Sequence, residues 1–161
     1  MTTTIRAATP DDVGQILTFI RSLAAFEREP DAVKNTEKAL LRHGFGPNPF
    51  FFCLIAEQDG QSAGFALYFY KFSTFLTLPG IWLEDLFVYP QFRRNGIGRA
   101  LLQRVANIAV EQGCGRLEWT ALEWNKLATD FYKRLGAEEL SDWRVYRMTG
   151  NALKNLAGPT L

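Results

Sequence analysis

Two stretches of this sequence carry residue types that do chemistry at a useful spacing. The first is Arg93-Arg94-Asn95-Gly96-Ile97-Gly98. Two glycines one residue apart let a backbone turn tightly and expose consecutive N–H groups, here at the start of a helical pattern. Those groups sit at the positive end of the helix dipole, and Arg93, Arg94 and Arg99 add positive charge around them. Three arginines at a helix start oppose the dipole and cost stability unless an anion sits there. This favours a phosphate cradle over a plain glycine-rich turn. The second stretch is Ile81-Trp82-Leu83-Glu84-Asp85-Leu86-Phe87-Val88, two adjacent acids in an apolar strand. Buried acids are costly unless paired. A structural ion pair with Arg144 or Arg147 is one reading, and a functional carboxylate is the other. Neighbours on a regular strand point to opposite faces, so one acid at most faces a given site unless a bulge intervenes.

Further along, Asn125 and Tyr132 are about two helical turns apart, so a helix there presents both on one face. Asn125 also suits a helix cap, and Tyr132 beside Phe131 suits packing. The single histidine, His43, falls in the loop-like stretch His43-Gly44-Phe45-Gly46-Pro47. One histidine with Cys53 and Cys114 supplies no metal site, and both cysteines read as reduced thiols. The glycine turn departs from two other phosphate motifs. No G-x-x-x-x-G-K-[ST] occurs. A dinucleotide fingerprint needs a third glycine where Leu101 stands, although Glu118 lies about 20 residues on, as a ribose-binding acid would.

The elements that position these groups follow from periodicity. Ile5-Arg6-Ala7 reads as a first strand. Thr9-Pro10-Asp11-Asp12 starts a helix whose apolar face is Val13, Ile16, Leu17, Ile20 and Leu23. A shorter helix runs from Thr36 to Arg42 and stops at Gly44. Phe50 to Glu57 and Gly64 to Phe72 are strands joined through Asp59-Gly60, a hairpin signal. Thr77-Leu78-Pro79-Gly80 reads as the next turn, and Ile81 to Tyr89 as the third strand of the meander. A helix follows the glycine turn to Gly113. Arg116 to Leu122 is a strand, Asn125 to Leu135 a helix, and Trp143 to Met148 a last strand before a polar tail. The prediction is one domain over 1–161 with an α/β (α+β) fold: a mixed, mainly antiparallel sheet flanked by helices. That meander argues against a doubly wound dinucleotide fold.

Composition limits the classes of function. The chain has 161 residues, 47% of them hydrophobic, with 13 Phe and 4 Trp, which suits a globular core. Lys plus Arg number 18 against 17 Asp plus Glu, so no basic excess supports a broad nucleic-acid surface. No apolar run approaches the roughly 18 residues of a membrane span, and the N-terminus lacks an apolar signal region. A soluble cytoplasmic protein is the expectation. The aromatic residues Phe50, Phe51, Phe52, Phe65, Phe69, Phe72 and Trp119 read most simply as core.

The turn Arg93–Gly98 resembles the Q/R-x-x-G-x-G/A loop of the GNAT acetyltransferases, and Trp124 to Ala137 resembles a downstream element of that family. Ile5 to Pro10, His43-Gly44-Phe45-Gly46, Leu83-Glu84-Asp85-Leu86-Phe87-Val88 and Glu123-Trp124-Asn125 resemble its diamine (spermidine/spermine) and thialysine acetyltransferase branch, and the likeness spans about Ile5 to Leu156. The resemblance implies a GNAT-like fold, acetyl-CoA as co-substrate, no metal, a small-molecule amine as acceptor in a ternary complex, and a homodimer. It implies that backbone amides from Arg93 to Arg99 hold the pyrophosphate, that Asn125 contacts CoA, and that Phe87 and Val88 aim backbone N–H groups at the acetyl carbonyl. Glu84 becomes the candidate base, direct or through water. Tyr132 becomes the acid that protonates the thiolate, as a phenol of pKa about 10 can. Glu27 and Asp85 would attract a cationic amine, with Phe26 and Trp82 lining its site. Phe26 stands where the polyamine enzymes carry a hydroxyl-bearing aromatic, and Phe72 to Gly80 is apolar where a tricationic substrate wants acid. These departures argue against spermidine and leave a thialysine-like amine, another small amine or an amino acid. A peptide N-acetyltransferase, a nucleotide-dependent oxidoreductase and a CoA-binding module without activity are the competing readings.

Overall fold

Thr9-Pro10-Asp11-Asp12 starts the first helix as its chemistry requires. The structure is a computed structural model that describes residues 1–158. After β1 (Thr3–Ala7), a 3-10 turn over Pro10–Asp12 leads into α1 (Val13–Phe26). The Asp12 carboxylate accepts from Thr9 N at 2.7 Å and from Arg6 Nη1 at 2.8 Å. The Arg6 guanidinium, also bound to Glu57, holds that carboxyl well below the usual range. Next, α2 (Glu37–Gly44) is capped by Thr36, whose Oγ1 accepts from Ala39 N at 3.1 Å. His43 lies on this helix rather than in a loop, with its ring 5.6 Å from that of Phe50.

The meander comprises β2 (Phe52–Gln58), β3 (Gln61–Ser73) and β4 (Leu78–Val88). Asp59 and Gly60 both take positive φ, 49° and 78°, as a two-residue primed hairpin turn demands. The β3–β4 turn lies over 74–77, so Leu78-Pro79-Gly80 belongs to β4 and not to the turn. Then come α3 (Ile97–Glu111) and β5 (Arg116–Glu118). The sheet order is β1-β2-β3-β4-β5; the first three pairings are antiparallel and β4–β5 is parallel. One face packs Ile16, Leu17 and Phe19 of α1 against Cys53, Ile55, Phe65, Leu67 and Phe87. Phe19 stacks on Phe65 with centroids 5.1 Å apart. In α3, Ile97, Leu101, Leu102, Val105 and Ala109 are the buried residues. Among the expected core aromatics, Phe65 is fully buried, whereas Phe50 and Phe72 are 73% and 61% exposed.

Contacts divide the chain into a first unit, Met1–Thr120, and a second that begins at Ala121. The second holds α4 (Lys126–Arg134) and α5 (Gly150–Ala157). Asn125 caps α4, its Oδ1 accepting from Ala128 N at 3.3 Å, and Gly136 follows it with φ of 88°. Three expectations fail from residue 119 onward. Residues 119–122 do not extend β5, and 143–148 form no strand. Trp143, Val145 and Tyr146 all stay exposed, and an extended segment without a partner edge forms no ladder. Residues 150–157, expected as polar tail, are the helix α5, with Leu153 and Leu156 three apart. Among the described residues no helix is long and apolar enough to cross a membrane.

Candidate active site

The pairing of β3 with β4 resolves the question of the two acids. Leu67 pairs with Asp85 and Tyr68 with Leu83, so Glu84 is the extra residue of a β-bulge. Farther down, Phe69 pairs with Trp82. Leu67 and Phe69 share a face, and the bulge therefore brings Trp82 and Asp85 to that same face, the one α1 covers. Glu84 remains exposed, and its Oε2 accepts from Trp82 Nε1 at 2.9 Å. Trp82 is itself held by the Lys71 ammonium, 5.3 Å from its ring, and Lys71 reaches Glu118 Oε2 at 2.7 Å. A Cβ at position 80 would sit closest to Arg116 O of β5, at 3.3 Å, and only in ordinary contact with Lys71 Cγ at 3.5 Å.

Asp85 is half-buried, and its carboxyl is pushed up to about 7. Burial is the main cause, followed by the negative charges of Glu84 and Glu27. Burial also raises Glu27, at the C-terminal end of α1. Three carboxyl groups from α1 and the β4 bulge thus share one neighbourhood. That concentration of negative charge suits a cationic ligand.

The outer edge of β4 is open at this level. β5 pairs only with Gly80, Ile81 and Trp82, so among the described residues β4 has no sheet partner on that side from Leu83 onward. Tyr89 N donates to Ala63 O at 2.9 Å, which makes 63/89 a bonded pair and Gly64/Val88 a non-bonded one. The N–H and C=O of Val88 therefore point away from β3, toward the open edge. By the same alternation Phe87 turns its N–H into the ladder with Phe65, so of the two expected donors only Val88 has the geometry. Position 64 admits no side chain, since a Cβ there would lie 2.5 Å from Phe87 O.

Gly96 opens α3 with φ of 79°, and Arg94 beside it takes φ of 68°. The helix has no acidic residue in its first turn and no side-chain cap. Its first N–H groups, on Ile97, Gly98 and Arg99, are thus left for an anion. A Cβ on Gly96 would meet nothing within 4 Å, and one on Gly98 only Val88 Cγ2 at 3.8 Å, so the approach to the backbone is clear. These features fit a pyrophosphate, and Arg94 and Arg99 are exposed beside it. Asn95 donates from Nδ2 to Gln58 Oε1 at 2.9 Å, so its side chain pins the turn to β2. Ile97 is buried in the core and offers only its backbone. Arg93 turns away from solvent: its Nε donates to Val88 O at 2.9 Å and its guanidinium covers Phe26. In the second unit, Tyr132 lies on α4, whereas Asn125 is its N-cap, with non-helical backbone and its side chain turned back to Ala128 N. Sequence reasoning missed Gly64, Lys71 and Gln58; Gln58 follows Glu57 at the polar end of its strand and reads as part of the hairpin turn.

An open β4 edge, a bulge carrying acids and an anion-ready helix start together suit an acyl-CoA-binding transferase. Comparison with known proteins is specific. The Acetyltransferase (GNAT) family model matches residues 16–137. A thialysine N-epsilon-acetyltransferase of Sus scrofa is 42% identical, covering 96% of each chain. An L-ornithine N5-acetyltransferase of Arabidopsis thaliana is 32% identical, covering 93% of this chain and 86% of its own. An integron cassette protein from the mobile metagenome of V. cholerae superposes with a TM-score of 0.82 at 28% identity, covering 99% of both chains. The chain belongs to the GNAT acetyltransferase family and is an acetyl-CoA-dependent N-acetyltransferase.

Proposed function

We propose that this enzyme acetylates the side-chain amine of a small amino acid of the thialysine or ornithine type. The observation that carries the reading is the trio Glu27, Glu84 and Asp85 beside the open edge of β4. Such a group attracts a single ammonium. The β3–β4 hairpin beyond it carries Phe72, Phe75, Leu76 and Leu78 and no acid to hold a second and third cation. Relatives named for thialysine and ornithine support the same class. The family model crosses the boundary between the two units, which supports one catalytic domain over the whole chain.

Bound acetyl-CoA supplies an acetyl thioester, which becomes an amide when the amine attacks and the thiolate leaves. A free alkylammonium has a pKa of about 10.4 and must lose its proton first. Glu84 accepts that proton, directly or through water, and Asp85 and Glu27 hold the ammonium before it is lost. The outward N–H of Val88 stabilises the negative charge that develops on the carbonyl oxygen. Tyr132 protonates the thiolate and Asn125 contacts CoA; both roles rest on the family likeness. The backbone of Gly96–Arg99 binds the pyrophosphate and fixes the thioester in place. The enzyme works as a cytoplasmic homodimer, again by likeness to its branch.

The test is kcat/KM for thialysine, ornithine and lysine against putrescine, spermidine and a peptide N-terminus. The best amino-acid diamine is expected to exceed spermidine by about tenfold or more. A preference for spermidine or for the peptide would reject the assignment.

A further inference from the structure

Arg93 is the one arginine of the glycine turn whose side chain is taken up inside the first unit. Its Nε donates to Val88 O at 2.9 Å. Its guanidinium lies 4.9 Å from the Phe26 ring and 5.7 Å from the Phe87 ring. It is half-buried, whereas Arg94 and Arg99 are exposed. A cation packed on two aromatic faces, with Nε spent on a carbonyl, fastens elements together.

The elements it fastens are the ones the reaction needs. Val88 is the residue whose N–H and C=O point toward the open edge of β4. Engaging the C=O fixes how residue 88 presents its N–H. Phe26 is the last residue of α1 and the neighbour of Glu27. Arg93 itself follows a 3-10 turn over Pro90–Phe92, which fixes its distance from the strand end. We propose that Arg93 is a positioning residue that braces the end of β4 against the end of α1, and that the anion is left to the turn's backbone, Arg94 and Arg99. The proposal rests on the reading of Val88 as the acyl-site donor. The brace holds the acyl end and the amine end of the site at a fixed separation.

Two substitutions separate a brace from a phosphate ligand. In Arg93→Gln, Nε2 stands as many bonds from Cα as the arginine Nε, so the bond to Val88 O, the part of the brace that sets the acyl end, is retained, while the charge and the packing on Phe26 and Phe87 are lost. In Arg93→Lys the charge is retained and the donor is carried one bond too far. CoA affinity by calorimetry, kcat with acetyl-CoA and the melting temperature are measured for both. The brace predicts CoA affinity within about twofold of wild type in both variants. It predicts kcat within about threefold in Arg93→Gln and about tenfold lower in Arg93→Lys. The brace also predicts a lowered melting temperature in both variants, one losing the packing on Phe26 and the other the bond to Val88 O; lowered melting temperatures with normal kcat in both would keep the brace and reject Val88 as the acyl-site donor. A CoA affinity preserved in Arg93→Lys but about tenfold weaker in Arg93→Gln makes Arg93 a phosphate ligand and overturns the proposal. Equal losses of kcat in the two variants, or an unchanged melting temperature in both, overturn it as well.

Discussion

Asp85 is the residue at which folding and function oppose each other. Its folded carboxyl lies at about 7 against an ordinary 3.8, because burial and the charges of Glu84 and Glu27 disfavour ionisation. The folded state therefore holds a proton that the unfolded chain releases, and stability contributed by this group falls as pH rises from about 4 to about 7. Asp85→Asn removes that cost. Its melting temperature is expected to exceed wild type by about 3 °C or more at pH 8 and by less at pH 4. Activity should move the other way. In the proposed site ionised Asp85 attracts the ammonium, so kcat/KM for the amine is expected to rise through pH 7 in wild type. In Asp85→Asn that limb disappears and only the titration of the amine itself remains. A variant that keeps the limb and gains no stability would remove Asp85 from the site. Tyr132 has a different signature. Tyr132→Phe is expected to lower kcat at least about tenfold while acetyl-CoA affinity stays within about twofold. Equal losses in rate and affinity would exclude it as the acid.

At the scale of elements, the glycine turn and the β4 bulge set the site. Gly98 has free space where a Cβ would go, with Val88 Cγ2 at 3.8 Å, so Gly98→Val is tolerated by the fold. It also places two methyl groups over the first N–H groups of α3. Loss of CoA binding with an unchanged melting curve is expected; normal CoA affinity would remove the cradle. Much of this architecture was legible in the sequence. Thr9 and Thr36 mark helix starts, and Asp59-Gly60 marks a hairpin, because each solves a local backbone problem. The family motif located the glycine turn and the acids. Other features depend on long-range pairing. The adjacent acids left open whether a bulge interrupts the strand, and only the register against Leu67 and Tyr68 places one at Glu84. Arg93 reads as a phosphate arginine by proximity, and only packing against Phe26 and Phe87 shows its bond to Val88 O. Trp143 to Met148 has strand composition, yet composition supplies no partner edge.

For the whole molecule, exposed apolar surface bears on assembly. Phe75 at the tip of the β3–β4 hairpin is 93% exposed, and Phe72, Leu76 and Leu78 are exposed beside it. Surface of this kind is costly in water and is where the proposed homodimer would gain from burial. Sedimentation equilibrium is expected to give twice the 18.2 kDa chain mass at micromolar concentration. A monomer at every concentration would contradict the homodimer.

The most direct test of acetyl transfer to a small amine is release of free CoA thiol from acetyl-CoA, with and without thialysine, ornithine, lysine, putrescine, spermidine or a peptide. The account predicts release that depends on the amine and is strongest with an amino-acid diamine. Tight acetyl-CoA binding with no amine-dependent release from any of them would contradict it.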